Sequence, residues 1–322
     1  MRITVLGAGA IGGFVGARLA AAGVETAAVA RGATLDALRA HGWRVREQDG
    51  SLTTAPVHAV ADAGELGPQD VVLLSVKAQS LRSALPSLVP LLGPDTVVVA
   101  ALNGVPWWFF EGFGGPCEGV NLDSVDPGGL IARQVPVRQV VGAVVHMSSA
   151  SPEPGLVRHV GGNRFILGEP DGGTSDRLRS LATLFRGADL EVELSTQIHK
   201  EVWYKLWGNM TTNPVSALTR ATADRILDDP LVLRFCQDAM LEAQRIGALI
   251  GCPIEETPQD RTEVTRKLGA MRTSMLQDME AGRPLELDAL VGAVREIGER
   301  VGVPTPNLDA LLGLTRLAAS MR

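Results

Sequence analysis

R-I-T-V-L-G-A-G-A-I-G, residues 2–12, decides the class of fold. Residues 2–6 form a short aliphatic and β-branched run of the kind a buried strand needs, and residues 11–22 form an alanine-rich stretch that reads as a helix. Between them Gly7, Gly9 and Gly12 take the spacing G-x-G-x-x-G. One glycine permits the tight turn, one lets backbone approach a pyrophosphate, and one lets helix pack closely on strand. The helix that follows offers unpaired N–H groups and a positive dipole end to phosphate. In isolation, a glycine turn that merely packs tightly would look the same. Its place in strand, turn and helix points to a dinucleotide, with Gly7, Ala8, Gly9, Ala10, Ile11 and Gly12 as the contact segment.

The second strand, residues 25–30, selects among dinucleotides. A reader of the ribose 2′-hydroxyl would be an acid at its end, yet the chain has Val29, Ala30, Arg31 and Gly32, and Glu25 comes too early. Arg31 suits a 2′-phosphate, so NADP (NADPH) is favoured over NAD; otherwise it is a surface arginine. A flavin enzyme would need further signals that the chain lacks.

Farther out, residues 70–76 (D-V-V-L-L-S-V) and 96–102 (T-V-V-V-A-A-L) are almost wholly apolar, as strands buried on both faces must be. Lys77 and Asn103 follow directly, where ligands bind in open α/β sheets. Residues 105–138 dissolve into a long loop rich in Gly and Pro that carries Trp107, Trp108, Phe109, Phe110 and Phe113. These rings serve a lid, a subunit interface or core packing. Strands are expected at 139–146, in a hairpin through 156–167, and near 189–194. From residue 197 the pattern turns helical, at 197–218, 229–250, 262–281, 286–302 and 307–320, with Gly or Pro between. The expectation is an α/β fold: an N-terminal Rossmann-like doubly wound sheet that binds NADP over residues 1–196, and an all-helical substrate and catalytic domain over 197–322.

The 322 residues suffice for two cores, and 45% hydrophobic with 20% charged residues is ordinary soluble composition. A formal net charge of -6 argues against nucleic acid and anionic membrane surfaces, which leaves a small molecule as partner. Cys117, Cys236 and Cys252 are scattered and the five histidines lack ligand spacing, so no metal is expected. No apolar run approaches the ~20 residues of a membrane span, and the apolar start reads as a strand and not a signal peptide. A reducing, cytoplasmic location is expected, and the helical domain and aromatic loop are compatible with a homodimer.

Within W-Y-K-L-W-G-N-M-T-T-N-P, residues 203–214, Lys205, Asn209 and Asn213 recur every four residues and form a polar stripe on a helix of ~1.5 Å rise per residue. Trp203, Leu206, Trp207 and Met210 cover the adjacent faces, so the amine is either partly desolvated, with a lowered pKa useful in acid chemistry, or snorkels to solvent. A third cluster is S-M-L-Q-D at 274–278 followed by G-R-P-L-E-L-D at 282–288. Together with G-A-G-A-I-G these motifs resemble the ketopantoate reductase (2-dehydropantoate 2-reductase) family over nearly the whole chain.

The resemblance implies NADPH-dependent reduction of ketopantoate or a similar branched 2-oxo acid to the 2-hydroxy acid, a step of pantothenate biosynthesis. Lys205 matches the catalytic lysine, and Glu286 the acid that contacts the reacting oxygen. Asn209 and Asn213 match pocket asparagines, Ser274 a substrate-carboxylate contact, Asn103 the asparagine near nicotinamide and substrate, and Lys77 the lysine at a Rossmann strand end. The chemistry is coherent, because a ketone gaining hydride becomes an alkoxide that an ammonium can stabilise and protonate. Val105-Pro106 stand where a second glycine is frequent, the aromatic loop is long, and Leu285 replaces a frequent threonine. A paralogue acting on another keto or imino substrate is therefore the alternative, with a non-catalytic NADP-binding protein behind it.

Overall fold

The computed structural model describes residues 1–321. Two compact units emerge: Met1–Leu102 with Leu130–Ile198, and Asn103–Gly129 with His199–Arg322. A single cut near residue 196 therefore does not describe the chain, because residues 103–129 belong with the helical unit.

In the first unit β1 (Ile3–Leu6), β2 (Thr26–Val29), β3 (Trp43–Arg46), β4 (Leu52–Ala55), β5 (His58–Val60), β6 (Val71–Leu74), β7 (Val97–Ala100), β8 (Val140–Glu153), β9 (Leu156–Gly168) and β10 (Glu191–Leu194) form one ten-stranded mixed sheet. Its order is β4-β3-β9-β8-β7-β6-β1-β2-β5, with β10 beside β9. The stretch β5-β2-β1-β6-β7-β8 is parallel throughout. All four residues of β1, β2, β6 and β7 are buried. Strands buried over their whole length gain about 1.5–3 kcal/mol for each large apolar side chain removed from water and need cover on both faces, while the buried Thr4 and Thr26 hydroxyls are hydrogen-bonded to Gln69 and Trp43. Leu6 is in register with both Val29 and Leu74, so the carboxyl ends of β1, β2 and β6 are level. The glycine turn, Arg31 and Lys77 all lie just beyond those ends.

Helices α1 (Ala10–Ala21), α2 (Gly32–His41), α3 (Leu81–Leu88), α4 (Leu130–Gln134) and α5 (Asp176–Gly187) complete the unit. Ser175 caps α5 by accepting from the Leu178 amide. The expected hairpin is longer than its sequence signal: 14-residue β8 pairs antiparallel with 13-residue β9 and turns at Gly155, φ 69°. The distal part of β8, S-S-A-S-P-E, lacks aliphatic alternation and is partly exposed, which hid it as a strand.

The second unit holds α6 (Ile198–Thr219), α7 (Ala223–Asp228), α8 (Pro230–Leu249), α9 (Pro258–Arg266), α10 (Ser274–Glu280), α11 (Ala293–Val301) and α12 (Pro306–Ser320). Asp229 caps α8 ahead of Pro230, and Thr257 with Asp260 forms a capping box on α9. The expected helix 262–281 is two helices. Gly269 takes φ 60°, and Thr273, buried and accepting from the Leu276 amide, starts α10 afresh. The expected helix 286–302 begins as a π-turn at Asp288–Gly292 before settling into α11.

Four of the five rings of the aromatic loop are core. Trp107, Trp108, Phe109 and Phe110 are at most 5% exposed. Phe109 meets Trp203 of α6 at 6.0 Å between ring centroids, and Phe113 stacks on His199 at 4.1 Å. The hydrophobic gain of these rings anchors the first turns of α6.

Candidate active site

Close packing fixes the glycine turn from below. Gly7 has φ 108°, and a Cβ there would lie 2.6 Å from the Ser75 carbonyl carbon. A Cβ on Gly12 would lie 2.3 Å from both the Gly7 oxygen and the Ser75 Oγ, and that hydroxyl donates to the Gly7 carbonyl at 3.0 Å. Gly9 differs, since a Cβ there would meet nothing within 4 Å. No side chain caps α1, so its leading amides keep no side-chain partner. Two glycines are thus required by the protein itself, and the third keeps clear a volume above a helix N-terminus, which is what a pyrophosphate needs. At the end of β2 the exposed Arg31 precedes α2 and donates from Nη2 to Ser87 Oγ at 3.0 Å. Lys77 is half-buried and begins a short 3-10 turn after β6.

In the helical unit α6 carries the stripe. Its apolar neighbours Trp203, Leu206, Trp207 and Met210 are buried, and Trp207 Nε1 donates to the Met240 carbonyl at 2.8 Å, which fixes the rotation of the helix. Lys205 is thereby held half-buried, and its Nζ donates to Asn103 Oδ1 at 2.9 Å. Burial pushes the Lys205 ammonium down to about 8, against the carboxylate of Glu286, which pulls it up. Glu286 is itself 4% exposed. Asn209 is half-buried and Asn213 buried. Among the described residues neither asparagine spends its side-chain amide on another protein group.

A backbone clasp brings Asn103 to Lys205. The Val105 amide donates to the Ala289 carbonyl at 2.9 Å, and Gly104, φ 79°, passes so close that a Cβ would lie 2.4 Å from that same oxygen. Ala289 lies one turn past Glu286, so the clasp ties the Asn103 and Glu286 segments together. The sequence gives no sign of it beyond a glycine after an asparagine. Ser274 stands apart: it is exposed in the first turn of α10, and no hydrogen bond joins it to Lys205, Asn103 or Glu286 among the described residues.

Residues 3–106 match the family model described as ketopantoate reductase PanE/ApbA, and residues 197–319 match the model of its C terminal. The chain is also 48% identical to a 2-dehydropantoate 2-reductase of Mesorhizobium japonicum, covering 100% of this chain and 99% of that one. It belongs to the ketopantoate reductase family. Among solved structures, a Ralstonia solanacearum MolK2 protein placed among the ketopantoate reductases is 57% identical, with a TM-score of 0.96 over 100% of this chain and 98% of that one. A 2-dehydropantoate 2-reductase of Geobacter metallireducens GS-15 is 26% identical, with a TM-score of 0.86 over 99% and 100%. Family membership accounts for the doubly wound sheet followed by helices. No helix among the described residues is long and apolar enough to cross a membrane.

Proposed function

We propose that this chain reduces ketopantoate, or a similar branched 2-oxo acid, to the 2-hydroxy acid with NADPH. The observation that carries the reading is Lys205: a desolvated amine, held by Asn103 and near the charge of Glu286, whose pKa of about 8 leaves it protonated at neutral pH yet able to release that proton.

When bound, the nicotinamide supplies hydride to the keto carbon. The residues that would hold the dinucleotide are Gly7 to Gly12 at the pyrophosphate, Arg31 at the 2′-phosphate, and Lys77 and Asn103 toward the nicotinamide end. Lys205 then acts as general acid, giving its proton from Nζ to the keto oxygen. By accepting from Nζ, Asn103 Oδ1 restricts the amine's swing and aims a remaining N–H. Glu286 keeps the amine charged against burial and orients the nascent hydroxyl. The uncommitted amides of Asn209 and Asn213, with the Ser274 hydroxyl, hold the polar groups of the substrate.

Three buried, unpaired cysteines, two of them with thiols pushed up to about 12 by burial, fit the reducing cytoplasm. The homodimer is part of the same proposal and is read by sedimentation. The activity is tested by following NADPH oxidation against a panel of 2-oxo acids, ketopantoate first. Turnover of ketopantoate with NADPH preferred over NADH is expected. Turnover of a different keto acid alone would move the assignment to the paralogue, and tight NADPH binding without turnover of any would refute the enzyme reading.

A further inference from the structure

Arg261 on α9 has no part in the site so far, yet its guanidinium lies against α6 at the level of the stripe. A Cβ on Gly208 would lie 2.4 Å from its Nη2, 2.7 Å from its Cζ and 2.9 Å from its Nε. A side chain at 208 would displace it from there. Gly208 directly precedes Asn209 and lies three residues past Lys205, roughly 60° around the helix from that lysine. The guanidinium carbon stands 5.5 Å over the Tyr204 ring.

Its donors are poorly used. Nη1 donates to Thr265 Oγ1 at 3.3 Å, Nε is buried with no acceptor, and Nη2 makes no hydrogen bond among the described residues. Nor does a carboxylate lie within ion-pairing distance of it among them: Glu256, whose charge reaches it, accepts instead from the Tyr204 hydroxyl at 2.6 Å. Burial holds the guanidinium below the usual arginine value. A half-buried guanidinium whose Nη2 has no protein acceptor among the described residues offers that donor to an anion.

The one anionic group common to every 2-oxo acid is the carboxylate bonded to the keto carbon. We infer that Arg261, admitted by Gly208, receives the substrate carboxylate through Nη2. This rests on the 2-oxo acid reductase reading and deepens it, making Gly208 and Arg261 a paired specificity device beside the Ser274 contact that the family resemblance implies.

The test compares wild type with Arg261→Leu, Arg261→Lys and Gly208→Ala, the last of which displaces the guanidinium without removing its charge. Steady-state kinetics are measured at saturating NADPH for ketopantoate and for its neutral methyl ester, and oxamate, an unreactive 2-oxo acid analogue, is titrated calorimetrically into the NADP-loaded enzyme. Losing a charge-assisted hydrogen bond should raise KM for the acid about 30-fold in Arg261→Leu, with kcat within about threefold and the ester unaffected. Gly208→Ala should follow it, Arg261→Lys should recover part of the loss, and oxamate affinity should fall in parallel. Unchanged acid KM and oxamate affinity in Arg261→Leu, or equal losses for acid and ester, would overturn the inference; if that variant does not fold, Gly208→Ala decides. Should wild type turn over no 2-oxo acid, the reductase reading fails on its own, while oxamate bound by wild type and lost in the variants still upholds the carboxylate site. No oxamate binding by wild type overturns it.

Discussion

The pH dependence of catalysis follows from the burial of one amine. Lys205 is depressed from 10.5 to about 8 because burial outweighs the attraction of Glu286. In the proposed mechanism reduction consumes the proton on Nζ, so kcat/KM for the oxo acid at saturating NADPH should be flat below pH 7, where more than about nine in ten molecules carry the proton. Above pH 8 it should fall about tenfold per pH unit. Two variants separate this from a generic alkaline loss. Lys205→Arg carries a cation that does not titrate in this range, so its residual rate, lower by about two orders of magnitude or more, should lack the descending limb. Glu286→Gln removes the charge that holds the amine up, so its limb should move below pH 8. The assay is a stopped-flow or steady-state profile from pH 6 to pH 10 in buffers of constant ionic strength. A descending limb of the same midpoint in all three proteins would refute Lys205 as the titrating acid.

Further outcomes follow from the same geometry. The folded chain holds the Lys205 proton less tightly than the unfolded chain, so stability should rise with pH between about 8 and 10.5, while below 8 a penalty of roughly 3 kcal/mol persists, offset by about 1 kcal/mol from the Asn103 bond. Lys205→Met should therefore raise Tm at pH 7 by a few degrees while abolishing turnover, and calorimetry showing a lower Tm would contradict it. Gly9→Ala should leave Tm unchanged yet weaken NADPH binding about tenfold or more in a fluorescence titration, whereas Gly12→Ala should cost about 1–3 kcal/mol of stability, because only the latter meets protein atoms. Gly104→Ala should lower kcat about as far as Asn103→Ala does, since its Cβ would push against the Ala289 carbonyl and release the clasp; a wild-type kcat would show the clasp idle. His199, buried against Phe113, is pushed down to about 4 by burial, so stability should drain as pH falls from 6.5 to 4. His199→Phe should flatten that part of a urea-denaturation series.

Much of this was readable because it is local. Residues 2–12 contain strand, turn and helix within one stretch, and each glycine's task depends on neighbours in the sheet that any parallel β-α-β unit supplies. The runs at 71–74 and 97–100 announce burial on both faces by composition alone. The stripe at Lys205, Asn209 and Asn213 needs only the helical repeat. What did not show was contact between distant segments: the bond joining Lys205 to Asn103 spans 102 positions, and no periodicity carries across that interval.

The aromatic loop shows why such contacts matter more than the elements they join. Read along the chain, Trp107 to Phe113 belong to a loop inside the first domain, and their exposed or buried fate is undecided by composition. In the folded protein they are the core of the second unit's entry, packed on the first turns of α6. That burial carries Asn103, four residues upstream of Trp107, into the helical unit, where it meets Lys205. The rings and the Gly104–Ala289 clasp therefore act on the Lys205 amine through backbone placement. Changing Trp107 or Phe109 should then alter kcat through the orientation of Asn103 before it alters substrate choice, and preference for the acid over its neutral ester should follow Gly208 and Arg261 instead.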